Sequence, residues 1–100
     1  MGMRFIINGL KYETDKMEEI ATVKKWYRST NTLINVICGK DFGQDYICTL
    51  WKSKKGKWLL THKADYMDKG EAIEEDEAKR LLMQYAPDKY EELFEEIPEA

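Results

Sequence analysis

Asn8-Gly9 stands between two short runs, Arg4-Phe5-Ile6-Ile7 and Leu10-Lys11-Tyr12, that read as strand. The pair supplies the positive φ angles a two-residue turn demands, so the spacing predicts an antiparallel hairpin at the start of the chain. A second reversal follows the same logic. Ser53-Lys54-Lys55-Gly56-Lys57 lies between Tyr46–Lys52 and the run beginning at Trp58, and Gly56 suits a left-handed position as the third of three loop residues. That loop sets Ser53 opposite Lys57 and Leu50 opposite Leu60. A slip of one residue moves Trp58 to the other face of the sheet.

Between these turns the pattern changes. Thr14 offers an N-cap, Asp15, Glu18 and Glu19 follow it, and Lys24, Lys25 and Arg28 come last, so both ends complement a helix dipole. This predicts a helix over 15–28 with Met17, Ile20, Val23 and Tyr27 inward and Ala21 and Trp26 at the margins. Thr32–Cys38 is rich in β-branched and apolar residues and is expected to pair with Tyr46–Lys52 across a polar loop at Gly39–Asp45. Residues 64–72 read as a polar connection containing Gly70. Beyond it, Ala78, Leu81, Leu82 and Tyr85 fall on one helical face, with Glu75, Asp76 and Glu77 at the positive end. Pro87 ends that helix and opens another, whose apolar face is Tyr90, Leu93, Phe94 and Ile97 before Pro98.

A chain of 100 residues has room for one modest core. The expectation is therefore a single domain, 1–100, of the α+β class. Its small antiparallel sheet has about four to five strands, one helix follows the first hairpin, and two C-terminal helices pack on one face. No apolar run approaches a membrane span and no signal-peptide pattern is present, which predicts a cytoplasmic protein with no membrane partner.

Charge is divided by position. Residues 1–70 carry thirteen Lys+Arg against eight Asp+Glu, and residues 71–100 carry three against eleven, so the net of -3 is a +5 body joined to a -8 tail. Asymmetry of this kind bears on partners rather than on fold. Asp88, Glu91, Glu92, Glu95 and Glu96 fall opposite the apolar stripe of the last predicted helix, a ridge that would repel nucleic acid and attract a basic groove. Lys89 is that helix's only cation. The plain alternative is a solvated helix face. A second candidate is the Trp51–Lys63 hairpin, where Lys52, Lys54, Lys55, Lys57, His62 and Lys63 are interleaved with Trp51 and Trp58 in the manner of single-strand binders. Its plain alternative places the lysines at a soluble hairpin tip and the tryptophans in the core.

Cys38, Cys48 and His62 lie on separate predicted strands with no Cys-x-x-Cys pair, a poor basis for zinc, and no disulfide is expected of two thiols in a reducing compartment. No nucleophile stands beside the single histidine in sequence, and no phosphate-binding glycine loop is present. The chain is expected to be non-enzymatic and to need no cofactor or metal.

Four blocks carry a family likeness: Ile7-Asn8-Gly9-Leu10-Lys11-Tyr12-Glu13-Thr14, Leu50 through Leu60, Glu74-Glu75-Asp76-Glu77-Ala78-Lys79, and Tyr90-Glu91-Glu92-Leu93-Phe94. Together they resemble small acidic accessory proteins of bacteriophages, plasmids and other mobile elements of Gram-positive bacteria. The resemblance covers about the first fifth and the second half of the chain. It implies a gene carried by an invader, and some such proteins inhibit host defence, CRISPR effectors included. No binding residue carries over, because the matched blocks are turns, caps and core positions. Most members have a longer, glycine-rich connection where this chain has Thr61–Gly70. The leading expectation is an anti-CRISPR-like inhibitor that binds a host protein or protein–nucleic-acid complex through its acids. The rivals are a nucleic-acid-binding regulator using the lysine hairpin and a phage structural or assembly protein.

Overall fold

The computed structural model describes residues 2–28, 43–64 and 67–99. The fold is α+β, with a two-stranded sheet, a four-stranded antiparallel sheet and two C-terminal helices. β1 (Arg4–Ile7) and β2 (Leu10–Glu13) form the predicted hairpin, with Ile7 opposite Leu10 and positive φ at both Asn8 (52°) and Gly9 (78°). Thr14–Lys16 makes a single 3-10 turn. The larger sheet has the order β3 (Glu18–Arg28), β4 (Gly43–Lys52), β5 (Trp58–Ala64), β6 (Met67–Ile73). α1 (Glu75–Tyr85) and α2 (Pro87–Leu93) complete the chain.

The helix expected after the first hairpin is a strand, β3. Its register with β4 shifts between Glu19 and Ala21, so Ile20 is an extra residue in the ladder, a β-bulge. Ile20 and Val23 are both buried, at 5% and 1% exposure. The bulge thus produces an i, i+3 apolar spacing inside a strand, and that spacing imitates a helix. After it the alternation is regular: Val23 is buried, Lys25 and Tyr27 are half-buried, and Thr22, Lys24 and Trp26 are exposed. Thr14 is no N-cap. It is buried, its hydroxyl accepts from the Met3 N–H at 2.8 Å, and its own N–H donates to the Met3 carbonyl at 3.0 Å.

The predicted polar connection over 64–72 is also corrected, because Met67–Ile73 is an edge strand paired with β5 from Ala64↔Met67 to Trp58↔Ile73. Lys69 and Asp68 on that edge discourage pairing with another chain. The partner of Tyr46–Lys52 on one side is β3, with Val23 opposite Cys48, and residues 43–45 of the predicted loop belong to β4. The predicted Thr32–Cys38 strand lies outside the described residues. At the β4–β5 turn the three-residue loop is present: Leu50 pairs with Leu60, the Ser53 N–H donates to the Lys57 carbonyl at 2.8 Å, and Gly56 has φ +83°.

Register assigns the two faces. Val23, Cys48, Leu50, Trp58 and Leu60 share one face and pack against Ala78 and Leu82 of α1 and Tyr90 of α2. The opposite face holds Leu59, Thr61 and Gly70, and the β1–β2 hairpin lies against it through Phe5. The molecule is therefore layered: helices, sheet, hairpin. Among the described residues no helix is long and apolar enough to cross a membrane.

Candidate functional site

The acidic surface begins on α2. Asp88, Glu91 and Glu92 are exposed there because Tyr90 points inward, its ring 5.2 Å from Phe94 and 9% exposed. Glu95 and Glu96 are exposed too, but they lie beyond the helix, which stops at Leu93. The expected helical ridge is therefore shorter than its sequence pattern. Glu91/Glu95 and Glu92/Glu96 would repel at i, i+4 in a longer helix, and Pro98 disfavours helical backbone at Ile97. Instead the Ile97 N–H donates to the Glu91 carboxylate at 3.0 Å, while Phe94 and Ile97 still pack on the core. Lys89 lies 3.4 Å from Glu92. Five exposed acids thus lie on one helix and the irregular segment behind it.

The lysine hairpin is rearranged more deeply. Trp58 is only 2% exposed, so it is a core residue and has no face on which a base can stack. Lys52 sits on the same side of the sheet, its ammonium 5.4 Å above the Trp58 ring. Trp51 points to the other face, where its indole N–H donates to the Thr61 hydroxyl at 2.9 Å. Lys54, Lys55 and Lys57 remain exposed at the tip. Sequence reasoning missed their neighbours. Lys11 on β2 and Lys16 in the 3-10 turn line the same cleft, of about 430 Å³, which is floored by Leu10, Tyr12 and Met17. Among the described residues Glu13 is the single acid lining it. Glu13 is held by Arg4 (3.5 Å), Lys11 (3.4 Å) and Lys16 (3.5 Å), and the hydrogen bond from Lys11 leads the effects that keep its carboxyl below the ordinary range.

A third polar cluster lies on the helix-covered face. The Lys25 ammonium donates to Glu71 of β6 and, at 2.7 Å, to Glu77 of α1. Burial works against its charge, but the two carboxylates outweigh burial and raise its pKa above 10.5. Tyr27 stacks on His62 with centroids 4.4 Å apart, and Tyr46 is 4.7 Å from the same imidazole. Burial lowers the His62 pKa and raises those of Tyr27 and Cys48. For a thiol this is the direction opposite to activation as a nucleophile. Among the described residues no group of three or more His, Cys, Asp or Glu side chains is placed to hold a metal, and Cys38 lies outside them.

The Lys25 triad gives a measurable pH dependence. Lys25→Met leaves Glu71 and Glu77 facing each other at a site 27% exposed, between the surface and buried limits, and should cost about 1–2 kcal/mol at pH 7. Folding raises this pKa, so the stabilisation is complete below the unfolded value of 10.5 and is lost as pH rises through the folded one. Urea titrations should show the gap between wild type and variant closing above pH 10.5. A gap that stays constant to pH 12, about two units above the lysine reference, would remove the triad from the stability of the fold.

No family model, curated protein or solved structure matches this chain.

Proposed function

We propose that the protein is a non-enzymatic inhibitor, carried by a mobile element, that binds a host nucleic-acid-handling defence complex of the CRISPR-effector kind. It docks through Asp88, Glu91, Glu92, Glu95 and Glu96 on a cationic surface of that complex. The observation that carries this reading is the inward packing of Tyr90, Phe94 and Ile97, which leaves five acids exposed with Lys89 as the one cation on α2. Charge concentrated in this way steers encounter with a basic groove and raises the association rate. The mobile-element origin rests on the resemblance of the four sequence blocks.

The test is capture of partners from a bacterial host lysate by the tagged chain, with and without nuclease, read by mass spectrometry. A stoichiometric CRISPR-type effector or other nucleic-acid-handling protein that survives nuclease is expected. It should be lost with the variant Asp88→Lys, Glu92→Lys, Glu95→Lys, Glu96→Lys, which spares the Glu91 carboxylate that accepts from Ile97 and whose circular dichroism should match wild type because all four positions are exposed. Binding that persists after this charge reversal would overturn the acidic mechanism. Capture that vanishes with nuclease would overturn the protein partner.

A further inference from the structure

We infer that the cleft between β2 and the Lys54-Lys55-Gly56 turn binds the phosphate of a nucleotide unit, either free or within a single strand. Two regions distant in sequence line it: Lys11 of β2 with Lys16 of the adjoining 3-10 turn, and Lys54, Lys55 and Lys57 of the β4–β5 turn. A soluble hairpin tip accounts for Lys54 and Lys55. It does not account for Lys11 and Lys16 lining the same space.

Among the described residues the local balance is five lysines against Glu13, and Glu13 is already engaged by Arg4, Lys11 and Lys16. A concave site of one sign focuses the field on an anion, and lysine serves phosphate as a mobile point charge. Size agrees with the charge. A volume of about 430 Å³ is in the range of small-ligand sites, and the floor of Leu10, Tyr12 and Met17 offers apolar surface to the sugar and base beside a phosphate.

Both walls are braced. The Ser53 hydroxyl accepts from the Lys57 N–H at 3.0 Å and the Gly56 N–H donates to the Ser53 carbonyl at 3.0 Å, while Thr14 ties the opposite wall to Met3. The lysine stems therefore start from a fixed frame and lose less freedom on binding. This site is separate from the acidic surface and does not depend on it. A nucleoprotein target would present phosphate to the cleft and cationic protein to α2.

The experiment titrates the full chain with a free nucleoside monophosphate by calorimetry and with a labelled single strand of about twelve nucleotides by anisotropy. Saturable binding in either arm is expected, the free nucleotide reporting a small-molecule site and the strand a nucleic-acid site. Lys16→Gln/Lys57→Gln should weaken the binding seen. In the strand arm the slope of log affinity against log salt should become shallower by about 1.4, two phosphate contacts at about 0.7 each. Lys63→Gln, outside the cleft, should change affinity less than twofold, about the range of a rim charge. Absence of saturable binding in both arms would overturn the proposal. So would binding indifferent to the double variant, or displacement of the nucleotide by polyglutamate at equal charge concentration. Melting curves of the variants should superimpose on wild type, since both positions are exposed.

Discussion

Trp58→Ala is expected to lower the free energy of unfolding by about 3–5 kcal/mol, a large part of the roughly 5–15 kcal/mol that holds a domain of this size. The indole lies on the helix-covered face at 2% exposure, its ring 6.0 Å from Phe94, in one core cluster with Leu50, Leu60, Leu82 and Tyr90. Removing it takes out the layer joining the start of β5 to the last helix. Among the described residues its N–H has no hydrogen-bond partner although the atom is buried, and an unmade bond of that kind costs about 1–3 kcal/mol. Trp58→Phe, which removes the orphan donor and keeps an aromatic ring, should therefore cost less than half as much. Urea denaturation measures both. A loss under about 1 kcal/mol for the alanine variant would be that of a surface residue and would return Trp58 to the list of possible contacts for nucleic acid.

The second large effect belongs to Gly70. A Cβ at this position would lie 2.7 Å from the Phe5 ring, and valine adds two methyl groups to that clash. Either β6 moves off β5 or the β1–β2 hairpin lifts. The hairpin should yield, because two strands alone are marginal in water and β6 is held by a seven-pair ladder. Gly70→Val is expected to cost about 1–3 kcal/mol and to speed amide exchange in residues 4–13 while leaving the centre of β4 protected. Exchange that rises equally in β4 would instead make the hairpin an inseparable part of the core. Because Lys11 stands on that hairpin, the same substitution should disturb the lysine cleft and leave the acidic surface unchanged.

Elements with a local signature were legible in the sequence. Asn8-Gly9 and Gly56 each demanded positive φ, and both hairpins have the register those turns dictate, down to Leu50 opposite Leu60. α1 was legible because Ala78 and Leu82 recur at helical spacing behind a run of acids, and both are fully buried. β3 was not. Its bulge broke the period of two where the decision lay, and its charges happened to complement a helix dipole. β6 was missed for another reason: an edge strand carrying Asp68, Lys69 and Gly70 looks like a connection until β5 is known to lie beside it. The sites divide in the same way. The five acids lie within nine consecutive residues, Asp88 to Glu96, and were visible as a cluster, whereas the cleft unites Lys11 and Lys16 with Lys54–Lys57 only after the chain has crossed the sheet.

In β3 the bulge uncouples the number of residues from the number of rungs. Glu19 faces Trp51 and Ala21 faces Leu50 on consecutive rungs, so Ile20 is surplus to the ladder while its side chain serves the core. Loss of that one residue leaves every other side chain of the strand on its own side. Loss of a residue between Thr22 and Trp26 sets the two flanks of the gap in opposite phase, so that both cannot keep Val23 and Lys25 under the helices. The strand can therefore change its length at Ile20 at the cost of one buried side chain, whereas a few residues further on the same change would break its inside-outside pattern.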